Sequence, residues 1–118
     1  MKENIILTKS YEFAVNSLKA VRILDKSIEN YVLVKQFIRA ATSIGANIEE
    51  SQGGESKKDF VHKLNISFKE AKECKYWIRL IKGSQLKNDN DIKIFDNLLK
   101  DADELCRILY KIINNSKS

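Results

Sequence analysis

The sequence contains no proline, and among its 118 residues there are only four glycines, two cysteines and one histidine. Because proline breaks the helical hydrogen-bond ladder, its absence favours long uninterrupted helices. Cys74 and Cys106 lack CxxC spacing, and one histidine cannot complete a typical zinc ligand set. The sequence therefore predicts no metal site, no cofactor and two reduced cysteines in the core.

The chain also lacks a long hydrophobic run. Near the N-terminus only Ile5 to Leu7 are consecutive apolar residues, which is too short for a signal-peptide core. No stretch approaches the roughly 20 apolar residues of a membrane span. We therefore expect a cytoplasmic protein with no membrane partner, folded as one domain over residues 1–118.

Four segments place apolar residues at helical spacing, and short polar connections separate them. They run from Thr8 to Asp25, Asn30 to Gln52, Lys57 to Lys82 and Asp91 to Asn114. No segment shows the alternation of a strand. Since short connections make neighbouring helices antiparallel, the sequence predicts an all-α, up-down-up-down antiparallel four-helix bundle.

The periodicity also predicts which side chains form the core. In the first segment one face carries Tyr11, Ala14, Val15, Leu18 and Val21. In the other three, the residues expected to be buried include Phe37, Ile44, Phe60, Ile78, Phe95 and Leu105.

The second segment contains small residues where a helix would ordinarily have larger ones. Gly45 falls on the predicted core stripe, while Ala40, Asn47 and Ser51 lie along one flank. Small side chains at such positions let a neighbouring helix approach closely, at some cost in helix propensity.

Glycines and capping residues predict where the helices end. "QGG" after the second segment supplies residues that end a helix, and Ser56 with Asp59 forms a capping-box-like start for the next. Gly83 in "KGSQLKNDND" predicts the end of the third helix. The glycine pair is not a phosphate-binding loop, because no strand precedes it and the GK[ST] pattern is missing.

The sequence offers few residues suited to catalysis. His62 is predicted to be solvated on the third helix. Bundle metal sites use inward-facing Glu-x-x-His units, and none occurs here. The carboxylate pair Glu70 and Glu73 is better explained as flank residues that pair with lysines. We therefore expect a protein that is not an enzyme and has no small-molecule substrate.

The third segment carries the whole net charge of +5, with eight basic and three acidic residues. At about 100° per residue, all its basic residues except Lys63 fall within an arc of about 140°. A nucleic-acid contact and a merely solvated lysine face both fit this arc. The nucleic-acid interpretation assigns binding to Lys58, Lys69, Lys72, Lys75, Arg79 and Lys82.

The opposite flank of the same segment combines acids with large apolar residues. Such a second apolar strip beside a core suggests burial against another subunit. The predicted subunit interface comprises Ile66, Glu70, Glu73, Trp77 and Leu80. The alternative is that Trp77 is simply a peripheral core residue.

Two stretches resemble a known bacterial family. "SIGANIEES", from Ser43, and "SKKDFVHKLNISFKEAKECKYWIRLI", ending at Ile81, resemble the four helix bundle protein family, also called the 23S rRNA intervening-sequence protein family. In the first motif Ser51 departs from the family's usual glycine or alanine, and Gly45 replaces the proline of one subgroup. The resemblance covers nearly the whole chain.

The resemblance implies a four-helix bundle that assembles into a ring, usually a homopentamer. Accessory proteins of diversity-generating retroelements look similar and bind nucleic acid through a basic surface. No enzymatic activity is implied. The leading hypothesis is thus a non-enzymatic homo-oligomer that binds RNA or DNA mainly through phosphates, and the rival is a structural or adaptor oligomer that binds a protein partner.

Overall fold

A computed structural model describes residues 2–53 and 56–117. Within these ranges the chain forms four α-helices and no strand, which confirms the all-helical prediction. The helices are α1 (Lys2–Ala20), α2 (Ile28–Gln52), α3 (Lys57–Gln85) and α4 (Asp89–Ser116), and a short 3-10 helix, Val21–Ile23, extends α1.

Side-chain caps explain where three of the helices begin. Ser27 Oγ accepts a hydrogen bond from the Asn30 amide at 3.1 Å, and Asn88 Oδ1 accepts one from the Asp91 amide at 3.0 Å. The predicted cap of α3 is confirmed, since Ser56 Oγ accepts from the Asp59 amide at 3.1 Å. Each bond satisfies an amide that the first helical turn leaves without a backbone acceptor.

The predicted ends of the helices are right in one case and wrong in another. The Gly53 amide donates to the Glu50 carbonyl and ends α2 as expected, whereas Gly54 lies outside the described residues. The predicted stop at Gly83 is wrong, because α3 continues to Gln85. Glycine in a helix costs only about 1 kcal/mol relative to alanine, and the last turn forms regardless, closed by the Leu86 amide on the Lys82 carbonyl.

Contacts between neighbouring helices join late positions of one helix to early positions of the next. Between α2 and α3, Lys63 pairs with Glu50 at 2.8 Å and Glu70 pairs with Arg39 at 2.8 Å. Between α3 and α4, Lys75 pairs with Asp103 and Lys82 with Asp96. Since α1 packs on both α2 and α4, the four helices form an α1–α2 side and, opposite to it, an α3–α4 side.

The interior confirms most of the predicted core. Phe37, Ile44, Ile78, Phe95 and Leu105 are all buried. Phe60 is only half-buried, which corrects the prediction, because it lies in the first turn of α3 at one end of the bundle.

Both cysteines are free and buried, as predicted. Burial raises the pKa of the Cys74 and Cys106 thiols, because a thiolate is poorly stabilised away from water. The two cysteines are therefore structural side chains with little nucleophilic character.

The predicted core face of α1 is wrong. Tyr11 is 68% exposed and Leu18 is 43% exposed. The helix instead buries Ile6, Ser10, Phe13, Ser17 and Ala20. Two serines on the buried face weaken its apolar signal, so the more apolar neighbouring stripe dominates the sequence pattern.

The small side chains on the buried face of α1 allow close packing against α2, where Gly45 is the facing residue. A Cβ atom added at Gly45 would lie 3.4 Å from Ser10 Oγ, so the glycine faces α1. On the α3 flank of α2, Ala40 and Ser51 are buried, and Ser67 Oγ of α3 donates to the Ile44 carbonyl at 2.9 Å. The small residues of α2 thus let both neighbours approach its backbone.

Candidate nucleic-acid interface

The six residues predicted to bind nucleic acid divide into two groups. Lys75 Nζ lies 2.6 Å from Asp103 Oδ1, and this hydrogen bond raises the pKa of Lys75. Lys82 also forms an ion pair, with Asp96. The other four are exposed and form no ion pair with any residue in the described ranges. They are Lys58, Lys69, Lys72 and Arg79.

The acids of α4 explain this division. All of them lie between Asp89 and Glu104. Beyond Glu104 the charged residues of α4 are Arg107 and Lys111, and both are basic. Because early positions of α4 lie beside late positions of α3, the acids neutralise Lys75 and Lys82, whereas Arg79 between them forms no ion pair in the described ranges. The beginning of α3 lies beside a stretch of α4 that has no acid.

The result is a group of exposed positive side chains on the middle of α3 and the last part of α4. Burial and the Asp103 carboxylate raise the pKa of Cys106, whereas Lys75, Lys72 and Arg107 lower it, so these charges act on one common region. We call this group the basic end. It comprises Lys69, Lys72, Arg107 and Lys111.

Two aromatic rings lie within the basic end. The centroids of Phe68 and Tyr110 are 6.1 Å apart, and Lys72 Nζ lies 5.0 Å from the Phe68 centroid. A cation over an aromatic face is attracted by the quadrupole of the ring. Tyr110, Arg107 and Lys111 were not predicted, because the charged arc was traced on α3 alone and these residues lie on α4. The lack of acids in α4 beyond Glu104 is the sequence feature that could have indicated them.

The predicted subunit interface is partly engaged within the chain. Arg39 of α2 pairs with both Glu70 and Glu73, and Trp77 Nε1 donates to Glu73 Oε2 at 2.8 Å. Trp77 is half-buried and packs against the core, and Ile66 is also half-buried. We call this predicted interface the acidic-aromatic flank; it comprises Ile66, Glu70, Glu73, Trp77 and Leu80. Leu80, at 36% exposure, is its most exposed apolar residue.

A larger exposed apolar surface lies on the α1–α2 side. Val21, Tyr31 and Val34 line an open cleft of about 370 Å³. Leu18 and Tyr11 continue the stripe of Val21 along α1, at spacings of three and seven residues. We call this surface the apolar side. It comprises Tyr11, Leu18, Val21, Tyr31 and Val34.

The structure contains no group of side chains arranged for metal chemistry in the ranges it describes, where no three His, Cys, Asp or Glu residues are placed to hold an ion. His62 is exposed, as predicted. None of the helices in these ranges has the length and hydropathy of a membrane span.

Comparison with known proteins identifies the family. The model of the 23S rRNA-intervening sequence protein family matches residues 2–111. The chain belongs to this family. A crystal structure from Bacteroides thetaiotaomicron, of a protein of unknown function from the S23 ribosomal protein family, has 36% sequence identity and a TM-score of 0.83. The similarity covers 97% of this chain and 99% of that one. No protein with a curated description matches the chain.

Proposed function

We propose that this member of the 23S rRNA-intervening sequence protein family is a non-enzymatic, ring-forming, antiparallel four-helix bundle that binds RNA or DNA through the basic end. The observation that carries the proposal is the positive charge left without acidic partners on the middle of α3 and the last part of α4. The described ion pairs account for Lys75 and Lys82, so these two lysines contribute less to binding than sequence analysis predicted.

Phosphate is the chemistry that suits the basic end. Lysine and arginine side chains that neutralise phosphates release condensed counterions, and this release drives binding without reading the base sequence. Lys69 and Lys72 are one helical turn apart, as are Arg107 and Lys111, so one subunit presents four cations from two adjacent helices. A ring would multiply these contacts by avidity.

Ring assembly needs two different surfaces on each subunit. The acidic-aromatic flank and the apolar side are distinct, and both expose apolar area, with Leu80 on the first and Tyr11 and Leu18 on the second. We propose that the flank of one subunit packs against the apolar side of the next. This arrangement leaves the basic end free for nucleic acid, because it lies on the α3–α4 side.

The rival function is a structural or adaptor oligomer that binds a protein partner. The apolar side favours it, since exposed tyrosines and aliphatic residues around a cleft are typical of protein interfaces. In that case the basic end has no role in binding.

Salt-dependent binding separates the two functions. Wild-type protein should bind a structured RNA or a duplex DNA at low ionic strength, with a log-log salt slope of about 0.9 for each phosphate neutralised on duplex. Lys69→Glu with Lys72→Glu should weaken binding to every sequence alike and reduce the slope by about 2, because two phosphate contacts are lost. Fluorescence anisotropy at several salt concentrations measures both quantities.

A matched control changes the same net charge elsewhere on the surface. Lys19→Glu with Lys93→Glu alters two exposed lysines of α1 and α4, outside the basic end and the cleft of the apolar side, and should retain most of the affinity. The adaptor function takes over if the basic-end variant keeps full affinity. It also takes over if the wild-type protein shows no salt-sensitive binding.

A further inference from the structure

Tyr110 is an exposed ring within the basic end. Its side chain is 58% exposed, yet one part of the ring contacts Phe68, with an interplanar angle of 40°. Phe68 is half-buried and packs against the core, so it holds the core-facing side of the tyrosine ring in place. A ring that is held on one side and open on the other can accept a flat partner without reordering.

The charges around Tyr110 favour an anionic partner. Lys72 lies over the Phe68 ring, Arg107 is one helical turn before Tyr110, and Lys111 follows it directly. No acidic residue occurs in α4 beyond Glu104. The partner suited to this site therefore combines a flat aromatic group with a negative backbone.

The exposed aromatic residue of α3, Tyr76, has different surroundings. Tyr76 contacts Trp77 edge-on at 5.2 Å, and the indole of Trp77 donates to Glu73. The Glu73 carboxylate, which also pairs with Arg39, lies against that aromatic pair, whereas the Phe68 and Tyr110 pair has a lysine against it.

We propose that Tyr110 stacks on an unpaired base of RNA or DNA, while Lys72 and Arg107 contact the adjoining phosphates. The inference rests on the proposed nucleic-acid function and adds a substrate class, single-stranded rather than duplex nucleic acid. Bases in a duplex are already stacked on each other, so only unpaired nucleotides offer a free face. Every base has such a face, so the sequence preference remains weak.

The test compares a single-stranded oligonucleotide, its duplex and a single strand with abasic residues. Tyr110→Ala should weaken binding of single-stranded RNA and DNA by about 5- to 150-fold, the range measured for loss of one stacked base. Duplex and abasic affinities should stay within about twofold of wild type. Tyr110→Phe should retain single-strand binding, because the ring and not the hydroxyl makes the contact.

The matched control is Ile28→Ala, which removes an exposed apolar side chain, 83% exposed, from α2 outside both the apolar side and the basic end. It should leave single-strand affinity unchanged at equal oligomer mass, checked by light scattering. Equal losses on single strand, duplex and abasic strand for Tyr110→Ala would overturn stacking, as would no loss at all, and in both cases phosphate binding by the lysines would stand. The proposed function itself, by contrast, fails if wild-type protein binds none of the probes.

Discussion

The α1–α2 side and the α3–α4 side of the bundle expose different chemistry, although helices of the same period form both. On the α1–α2 side, Ser10 and Gly45 meet between the helices, and large apolar residues such as Tyr11 and Leu18 remain outside. On the α3–α4 side the ion pairs of Lys75 and Lys82 join the helices near the surface. The hydrophobicity of a helical stripe therefore does not by itself decide whether the stripe is buried. Small residues also matter, because a face that carries them lets a neighbouring helix approach closely.

The two sides also differ in which of their surface groups have a partner within the chain. Half of the α3–α4 side is neutralised by the acids of α4, and the other half keeps its positive charge. The apolar side keeps an open cleft. Each side thus has one surface that its own chain leaves unpartnered, and these two surfaces serve different proposed roles, one in assembly and one in nucleic-acid binding.

The largest expected effect separates the inner and outer faces of α1. Phe13→Ala should lower the free energy of unfolding by about 3–5 kcal/mol, because it removes a fully buried ring and leaves a cavity. Tyr11→Ala, two positions away, should cost less than about 1 kcal/mol at concentrations where the protein is monomeric. Denaturant titration followed by circular dichroism measures both. A larger loss for Tyr11 than for Phe13 would contradict the burial seen here.

A smaller effect concerns assembly through the apolar side. Leu18→Asp should reduce the mass in light scattering from that of an oligomer to that of the 13.6 kDa chain, because a charge cannot be buried unpaired in a subunit contact. Helicity should not change, since Leu18 lies outside the core.

Asn16→Asp is the control for that assembly experiment, because it places the same negative charge on an exposed position of α1 that faces α4. It should leave the mass unchanged. If wild-type protein is monomeric at tens of micromolar, the proposed assembly is wrong. If Leu18→Asp keeps the oligomer, the contact lies elsewhere.

The smallest expected effect concerns the neutralised half of the α3–α4 side. Asp103→Asn removes the partner of Lys75, so this lysine becomes available for phosphate and the salt slope of binding should rise by up to about 0.9. Stability should change by less than about 1 kcal/mol, as for other partly exposed ion pairs. Asp101→Asn makes the same change in net charge on the α1-facing part of α4 and should leave the slope unchanged. Equal slopes for the two variants would mean that Lys75 takes no part in binding.

Much of the fold follows from local sequence features. The Ser56 cap acts within one turn, so it depends on no other helix, and it was predicted correctly. Phe37, Ile78 and Phe95 lie at the centre of strong apolar stripes, and their burial was predicted as well. Gly83 was misjudged because its effect on a helix end is small compared with the bonds of the last turn.

The candidate site was less accessible from the sequence. The lysines of α3 stand out as a charged arc, but their partners Asp96 and Asp103 are 14 and 28 positions further along the chain. A helical period relates positions within one helix, so it does not reveal a partner that lies on another helix. For the same reason Tyr110 was missed, because Phe68 contacts it across two helices.

The sequence by itself determined that this protein is helical, where α3 begins, and that the net positive charge of the chain lies on α3. These properties follow from backbone propensity, capping and composition, which act within a few residues. The tertiary structure decided which lysines of α3 keep their charge free and which face of α1 is buried. Both depend on what the neighbouring helix presents, because charge neutralisation and close packing are properties of two surfaces in contact and not of either helix alone.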